Sequence, residues 1–230
     1  MGLQRILFRF AKEGEGRFLS HRDLMRLFER ALRRAGLPVR MTQGFNPHPR
    51  LSVLAALALG VEADNEALEV EFDPPVPPAE ALERLARQAP QGVVLHAAEE
   101  LPQGCRPRIE SLAYEVHLPE GLALAASDVE RFLARDAPAV QRGIGPQERV
   151  LDARSAVLAA SLEGRVLKLE LRAGDGGPKV AEVIGALLGV PPAELPRFRL
   201  RRTNVRLAFN PSTSRNHCSE LPQGQPKCNV

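Results

Sequence analysis

Two short stretches of the 230-residue sequence, both within its first fifty residues, gather side chains able to do chemistry. One is Gln43-Gly44-Phe45-Asn46-Pro47-His48-Pro49-Arg50. Gly44 admits a positive φ, and the prolines stiffen the backbone around His48 while pushing Asn46 and His48 toward extended conformations. Such a loop displays an amide, an imidazole and a guanidinium together, and the imidazole can serve as acid, base or ligand near neutral pH. The same residues equally suit a rigid turn whose Asn and His only cap backbone groups.

The other stretch is Arg17-Phe18-Leu19-Ser20-His21-Arg22-Asp23. Ser20 is a natural N-cap, and Asp23 completes a shortened capping box. His21 and Arg22 then fall in a first helical turn, where free N–H groups and the helix dipole favour an anion. With Arg17 nearby, a phosphate or carboxylate could be held there. Alternatively Ser20 and Asp23 satisfy those N–H groups and His21 faces solvent.

The functional reading requires both stretches to meet in one polar pocket at one end of the first structural unit. Its candidate substrate-binding residues are Arg17, Ser20, His21, Arg22, Asp23, Asn46, His48 and Arg50. Within such a pocket His21 and His48 could work as an acid–base pair, provided they lie within hydrogen-bond reach directly or through a water. Beyond it, Arg22, Arg26, Arg30, Arg33 and Arg34 occupy the polar side of the following helix. That face could track a phosphate backbone, or be a solvated surface with internal pairing such as Arg26–Glu29.

The elements that must position these residues read from periodicity. Gln4 to Phe10 alternates, with Ile6, Phe8 and Phe10 on one face and Arg5, Leu7 and Arg9 on the other. Leu24, Leu27, Phe28, Ala31 and Leu32 form a helical apolar stripe that Gly36 and Pro38 terminate. Strands follow at 38–42, 51–59 and 68–72, then a helix at 78–88 and a strand at 93–97. Apart from the short strand at 38–42, this is the β-α-β-β-α-β order of the ferredoxin-like plan.

A Pro-, Gly- and Arg-rich segment at 101–110 reads as a linker. The order then repeats over 111–209, with Ser127 capping a helix, a Glu163-Gly164 hairpin turn and a helix opened by Pro178. The predicted fold class is therefore α+β, with two tandem ferredoxin-like (βαββαβ) units at 1–100 and 111–209. The segment 210–230 lacks periodicity and is expected to be a disordered tail.

If the strands of the first sheet are neighbours, Arg5 and Arg9 share its open face with Glu69 and Glu71, and cross-strand ion pairs are the default. The aromatics Phe8, Phe10 and Phe72 point the other way, which argues against base stacking on that face. Charge is unevenly spread. Residues 1–60 hold eleven Lys and Arg against Glu13, Glu15, Asp23 and Glu29, whereas 61–100 are acidic.

Several function classes are disfavoured. No Walker A, GxSxG or GxGxxG after a strand occurs. His217, Cys218 and Cys228 are irregularly spaced, so no metal site is expected, and no cofactor either. Gly174-Asp175-Gly176-Gly177 could be a weak phosphate cradle or a plain turn. The odd cysteine count fits a reducing compartment, and no apolar run nears the ~20 residues of a membrane span. The N-terminus has no signal-peptide pattern, so a cytoplasmic location is expected.

At RFLSHRDLMRLFERALRRAGLP and QGFNPHPRLS, followed by ALALGVEA, the chain resembles a bacterial family, domain of unknown function 2344 (DUF2344), also called radical SAM-linked proteins. The matching positions are Arg17, Ser20, His21, Asp23, Gly44, Asn46, Pro47, His48 and Pro49. Members occur beside, or fused to, a radical SAM protein, so the resemblance implies a partner rather than a reaction. The chain has no CxxxCxxC and would have to borrow cluster chemistry from that partner. The doubled plan also resembles the CRISPR-associated RAMP endoribonucleases in fold, but their glycine-rich loop late in the second unit is missing.

Three functions are therefore expected to compete. The first is a non-catalytic accessory protein that binds a substrate, with RNA the candidate, and presents it to a radical SAM enzyme. The second is an RNA-processing or modifying enzyme using His21 and His48. The third is a small-anion binding module.

Overall fold

The computed structural model describes residues 3–135, 139–142, 149–174 and 176–211. It is a mixed α+β protein with four α-helices and a large, mostly antiparallel sheet system among the described residues. The chain clusters into two compact units. The first holds the residues up to Ile109 together with the strand from Asn204, and the second holds Glu110–Thr203.

In the first unit, β1 (Gln4–Lys12) pairs antiparallel with β3 (Glu62–Phe72) on one side and with β4 (Val93–Glu100) on the other. The alternation read in Ile6, Phe8 and Phe10 holds: all three are buried against α1 (His21–Arg34) and α2 (Pro78–Ala86). Phe10 meets Phe28 of α1 edge-on at 5.0 Å between ring centres, and Phe8 meets Phe72 at 6.3 Å. The stripe Leu24, Leu27, Phe28, Ala31 and Leu32 is buried as its spacing requires. That packing clamps α1 across the sheet.

The apolar run expected as a strand over 51–59 forms only β2 (Leu51–Val53), paired antiparallel with β3. The rest of that edge of β3 is taken by β10 (Arg199–Pro211), so Ala55 and Leu57 are buried from a loop instead. The strand expected at 38–42 is reduced to the isolated bridges Val39–Phe72 and Met41–Pro49. The segment expected as a linker, 101–110, is strand from Cys105 onward, within β5 (Cys105–His117). Arg5 donates a hydrogen bond to the Cys105 carbonyl, which holds the start of that strand in the first unit.

In the second unit, α3 (Ala126–Ala134) follows β5, and β6 (Ala139–Arg142) pairs with β7 (Arg149–Asp152). Next come β8 (Val157–Glu163), β9 (Val166–Arg172) and α4 (Val180–Leu188). The sheet order is β10-β5-β9-β8, and the β6–β7 pair was not foreseen. The expected Ser127 cap is displaced: α3 starts earlier, and the Asp128 carboxylate accepts the Ala125 N–H at 2.9 Å. Likewise α4 begins at Val180 rather than Pro178. Gly164 turns the β8–β9 hairpin as expected, at φ 59°. β10 runs to Pro211, into the expected tail, and the remainder of 210–230 lies outside the described residues.

The stretch leading into α1 is tied down by a backbone approach that only glycine allows. The Glu13 N–H donates to the Gly92 carbonyl at 3.0 Å, and a Cβ on Gly16 would sit 2.3 Å from that same oxygen. Nothing but backbone lies there, so the clash cannot be relieved by a side chain turning away. Gly16→Ala is expected to destabilise the protein by about 1–3 kcal/mol. Urea denaturation checks this; an unchanged midpoint would contradict the close approach.

Candidate functional site

The two chemistry-bearing stretches fold locally much as read, but they do not meet. Arg17 is paired with Glu62, at the start of β3, at 3.6 Å. The buried Lys12 ammonium donates to the Arg17 and Leu19 carbonyls at 3.3 and 3.2 Å, and the Gly60 N–H donates to the Arg17 carbonyl. At the other extreme, Arg40 and Arg50 flank the Glu71 carboxylate at 3.6 and 3.7 Å, near the end of β3. Glu62 and Glu71 are nine steps apart on one strand, about 30 Å at the usual rise.

The expectation of a single pocket is therefore corrected. β3 is straight enough over its length to pair continuously with β1, from Gln4–Phe72 to Lys12–Ala63 apart from one irregularity, so its ends cannot fold together. His21 and His48 sit at these opposite ends, far beyond the reach that acid–base cooperation needs. The geometry therefore gives no support to an acid–base role for that pair.

At the first end, Ser20 Oγ accepts the Asp23 N–H at 3.2 Å and also lies 2.6 Å from Asp23 Oδ2. The Ser20 N-cap is thus made, with its hydroxyl rather than its backbone N–H donating to the Asp23 carboxylate, and His21 and Arg22 are exposed. An added anion would have to compete with the Asp23 carboxylate already placed at the positive end of the helix. Phe18 is exposed, with the Arg17 guanidinium 4.8 Å from its ring centre.

At the second end, the expected rigid turn is a hairpin-like projection. The Thr42 N–H donates to the His48 carbonyl at 2.7 Å and the His48 N–H to Thr42 Oγ1 at 2.9 Å. The Arg50 N–H donates to the Arg40 carbonyl, and the Glu71 N–H to the Arg50 carbonyl. These bonds stiffen the base and leave the tip to solvent: Asn46 and His48 are exposed, and Phe45 is completely so. Phe18 and Phe45 were not singled out in the sequence. Neither belongs to a periodic apolar stripe, which is the signal that could have found them.

Between the ends runs the exposed face of α1. Arg22, Arg26, Arg30 and Arg33 make no hydrogen bond or ion pair among the described residues, so the expected Arg26–Glu29 pairing is not formed. Arg34 alone donates, to the Gln88 carbonyl at 2.9 Å. Within α2 and α3 the arginines are matched, Arg84 with Glu80 and Arg131 with Asp128, and Arg87 just past α2 pairs with Glu83.

At the glycine-rich segment read as a weak phosphate cradle, the Gly177 N–H donates to the Gly174 carbonyl at 3.3 Å. Arg142 donates to the Gly176 and Gly177 carbonyls and to Glu182, whose carboxylate also accepts the Lys179 N–H at the start of α4. Among the described residues no group of three His, Cys, Asp or Glu could hold a metal ion. No helix there is long and apolar enough to cross a membrane. His217, Cys218 and Cys228 lie outside the described residues.

The sheet face opposite the helices is less open than read. Leu7 is fully buried on it, and Arg9 is 8% exposed. Arg5 pairs with Glu69 at 2.7 Å as expected, but Arg9 donates to the Val205 carbonyl at 2.9 Å. A bulge in β4, where Arg9 faces Ala97 and Phe10 faces Leu95, turns His96 to within 3.3 Å of Asn65 Oδ1. Asn65 in turn donates to Asn204 at 2.8 Å.

Loss of water pushes the His96 imidazole down, and Arg9 lowers it further. Burial pushes the Glu99 carboxyl up against the opposing pull of Arg9. An acid raised on folding contributes stability below its unfolded pKa and loses it as pH climbs through the folded value. Glu99→Gln is therefore expected to raise Tm at neutral pH, with the gain vanishing below the ordinary glutamate value of about 4.3. Thermal melts across that range check it; a gain independent of pH would contradict it.

No curated protein matches the chain. A family model does, over residues 5–179, which include both stretches and the whole of α1. The chain belongs to the family described as Uncharacterized protein conserved in bacteria (DUF2344).

Proposed function

We propose that the protein is a non-catalytic, cytoplasmic accessory that binds RNA and presents it to a separate radical SAM enzyme. The observation that carries the reading is the row Arg22, Arg26, Arg30 and Arg33, exposed and without a carboxylate partner among the described residues. Charges one helical turn apart, about 6 Å, make a ridge suited to successive phosphates rather than to one small anion. Arg40 and Arg50 share the single carboxylate of Glu71, which leaves positive charge at the hairpin base as well.

The candidate residues Arg17, Ser20, His21, Arg22, Asp23, Asn46, His48 and Arg50 then act as the two ends of an extended surface. The radical SAM partner rests on the resemblance at these same segments. Two tandem ferredoxin-like units are the frame. In favour of it, each unit follows the order β-α-β-β-α-β, the second with the β6–β7 pair inserted. Its sheet order β10-β5-β9-β8 repeats the β4-β1-β3 arrangement with β2 outermost.

Replacing Arg26 and Arg30 together by Ala is expected to weaken RNA binding uniformly across sequences. The slope of log K against log salt should shrink by about 1 for each arginine removed. Thermal stability should hardly change, because these side chains touch no partner. Fluorescence anisotropy over a salt series checks it; an unchanged slope would contradict the ridge.

A further inference from the structure

We propose that the RNA taken by this surface is single-stranded, with Phe18 and Phe45 as the stacking platforms that terminate the arginine ridge. The inference rests on the RNA-binding reading above and narrows it. Phe45 is completely exposed, and Phe18 is 58% exposed. Phe45 gains nothing from folding, since its ring is left in water, and Phe18 keeps more than half of its surface there. Both are held on stiff supports.

Phe18 sits in a turn locked by Lys12 and Gly60, and the Arg17 guanidinium lies 4.8 Å from its ring centre, so plane and ring form a two-layer platform. Phe45 tops the hairpin closed by the paired Thr42 and His48. Asn46 and His48, exposed beside it, offer donors and acceptors to a base edge. The two aromatics are carried at the two ends of β3, about 30 Å apart. The unpaired arginines of α1 lie on the element that runs between those ends.

A basic track closed by aromatic groups fits a single strand, whose unstacked bases can lie on a ring while its phosphates follow the arginines. A duplex keeps its bases stacked inside and would use only the charges. Since every base has a π-face, the surface should be tolerant of sequence.

The test uses the full chain with a labelled single-stranded RNA of about 16 nucleotides, the upper end of common single-strand footprints, and its blunt duplex. The single strand is expected to bind at least about tenfold tighter, and Phe45→Ala and Phe18→Ala each to lose about five- to hundredfold on it. Neither variant should change binding of the duplex. Equal or tighter duplex binding, or single-strand losses under about twofold, would overturn the stacking role while leaving the ridge intact. Loss of an enzyme partner on Phe45→Ala with unchanged RNA binding would assign that ring to a protein contact and overturn the proposal. Binding of neither RNA would overturn the underlying reading itself. Because Phe45 touches nothing, its removal leaves the fold in place and the result interpretable.

Discussion

The antiparallel register between β1 and β3 decides where everything of functional interest sits. Gln4 lies opposite Phe72 and Lys12 opposite Ala63, so the two strands hold a rigid bar with a defined top and bottom. The Arg17 turn is fastened to the top through Lys12 and Glu62, and the Asn46–His48 projection to the bottom through Glu71. Buried on the helix side by Phe8, Phe10, Leu68, Val70 and Phe72, this bar cannot bend without opening the core. The separation of the two stretches is thus a consequence of packing.

That separation changes the kind of function the residues can perform. A pocket concentrates groups on one small molecule; groups spread along a bar with a basic ridge between them do not. Charge neutralisation also differs between the helices. Arginines on α2 and α3 are matched to carboxylates one turn away, whereas those on α1 are not, although Asp23 and Glu29 lie on the same helix. Asp23 is committed to the cap with Ser20. Leaving charges unmatched costs some stability through self-repulsion, a cost that an anionic partner would remove.

Local signals were legible because they depend on neighbours in the chain. The α1 stripe, its Ser20 cap and the alternation of β1 all follow from spacings of two to four residues, and all are found. What depends on distant partners was not legible. Pro107 and Gly104 made the segment before Ile109 look like a linker, yet proline is tolerated near strand starts, and Arg5 draws Cys105 into the first unit. The run Leu51–Leu59 looked like one long strand because it is apolar throughout, but β10 claims the sheet edge it would have used. The bulge that presents His96 has no trace in alternation. Most consequentially, residue type could identify both chemical stretches but not the strand whose two ends carry them.

The most direct measurement is therefore a distance between spin labels placed by His21→Cys and His48→Cys, read by pulsed electron resonance in a chain whose native cysteines are replaced. The extended-surface account predicts a single distribution near about 30 Å, the length of the strand between their anchors. A distribution centred at about 15 Å or less, half that length, would mean that the two stretches share one pocket and that the account is wrong.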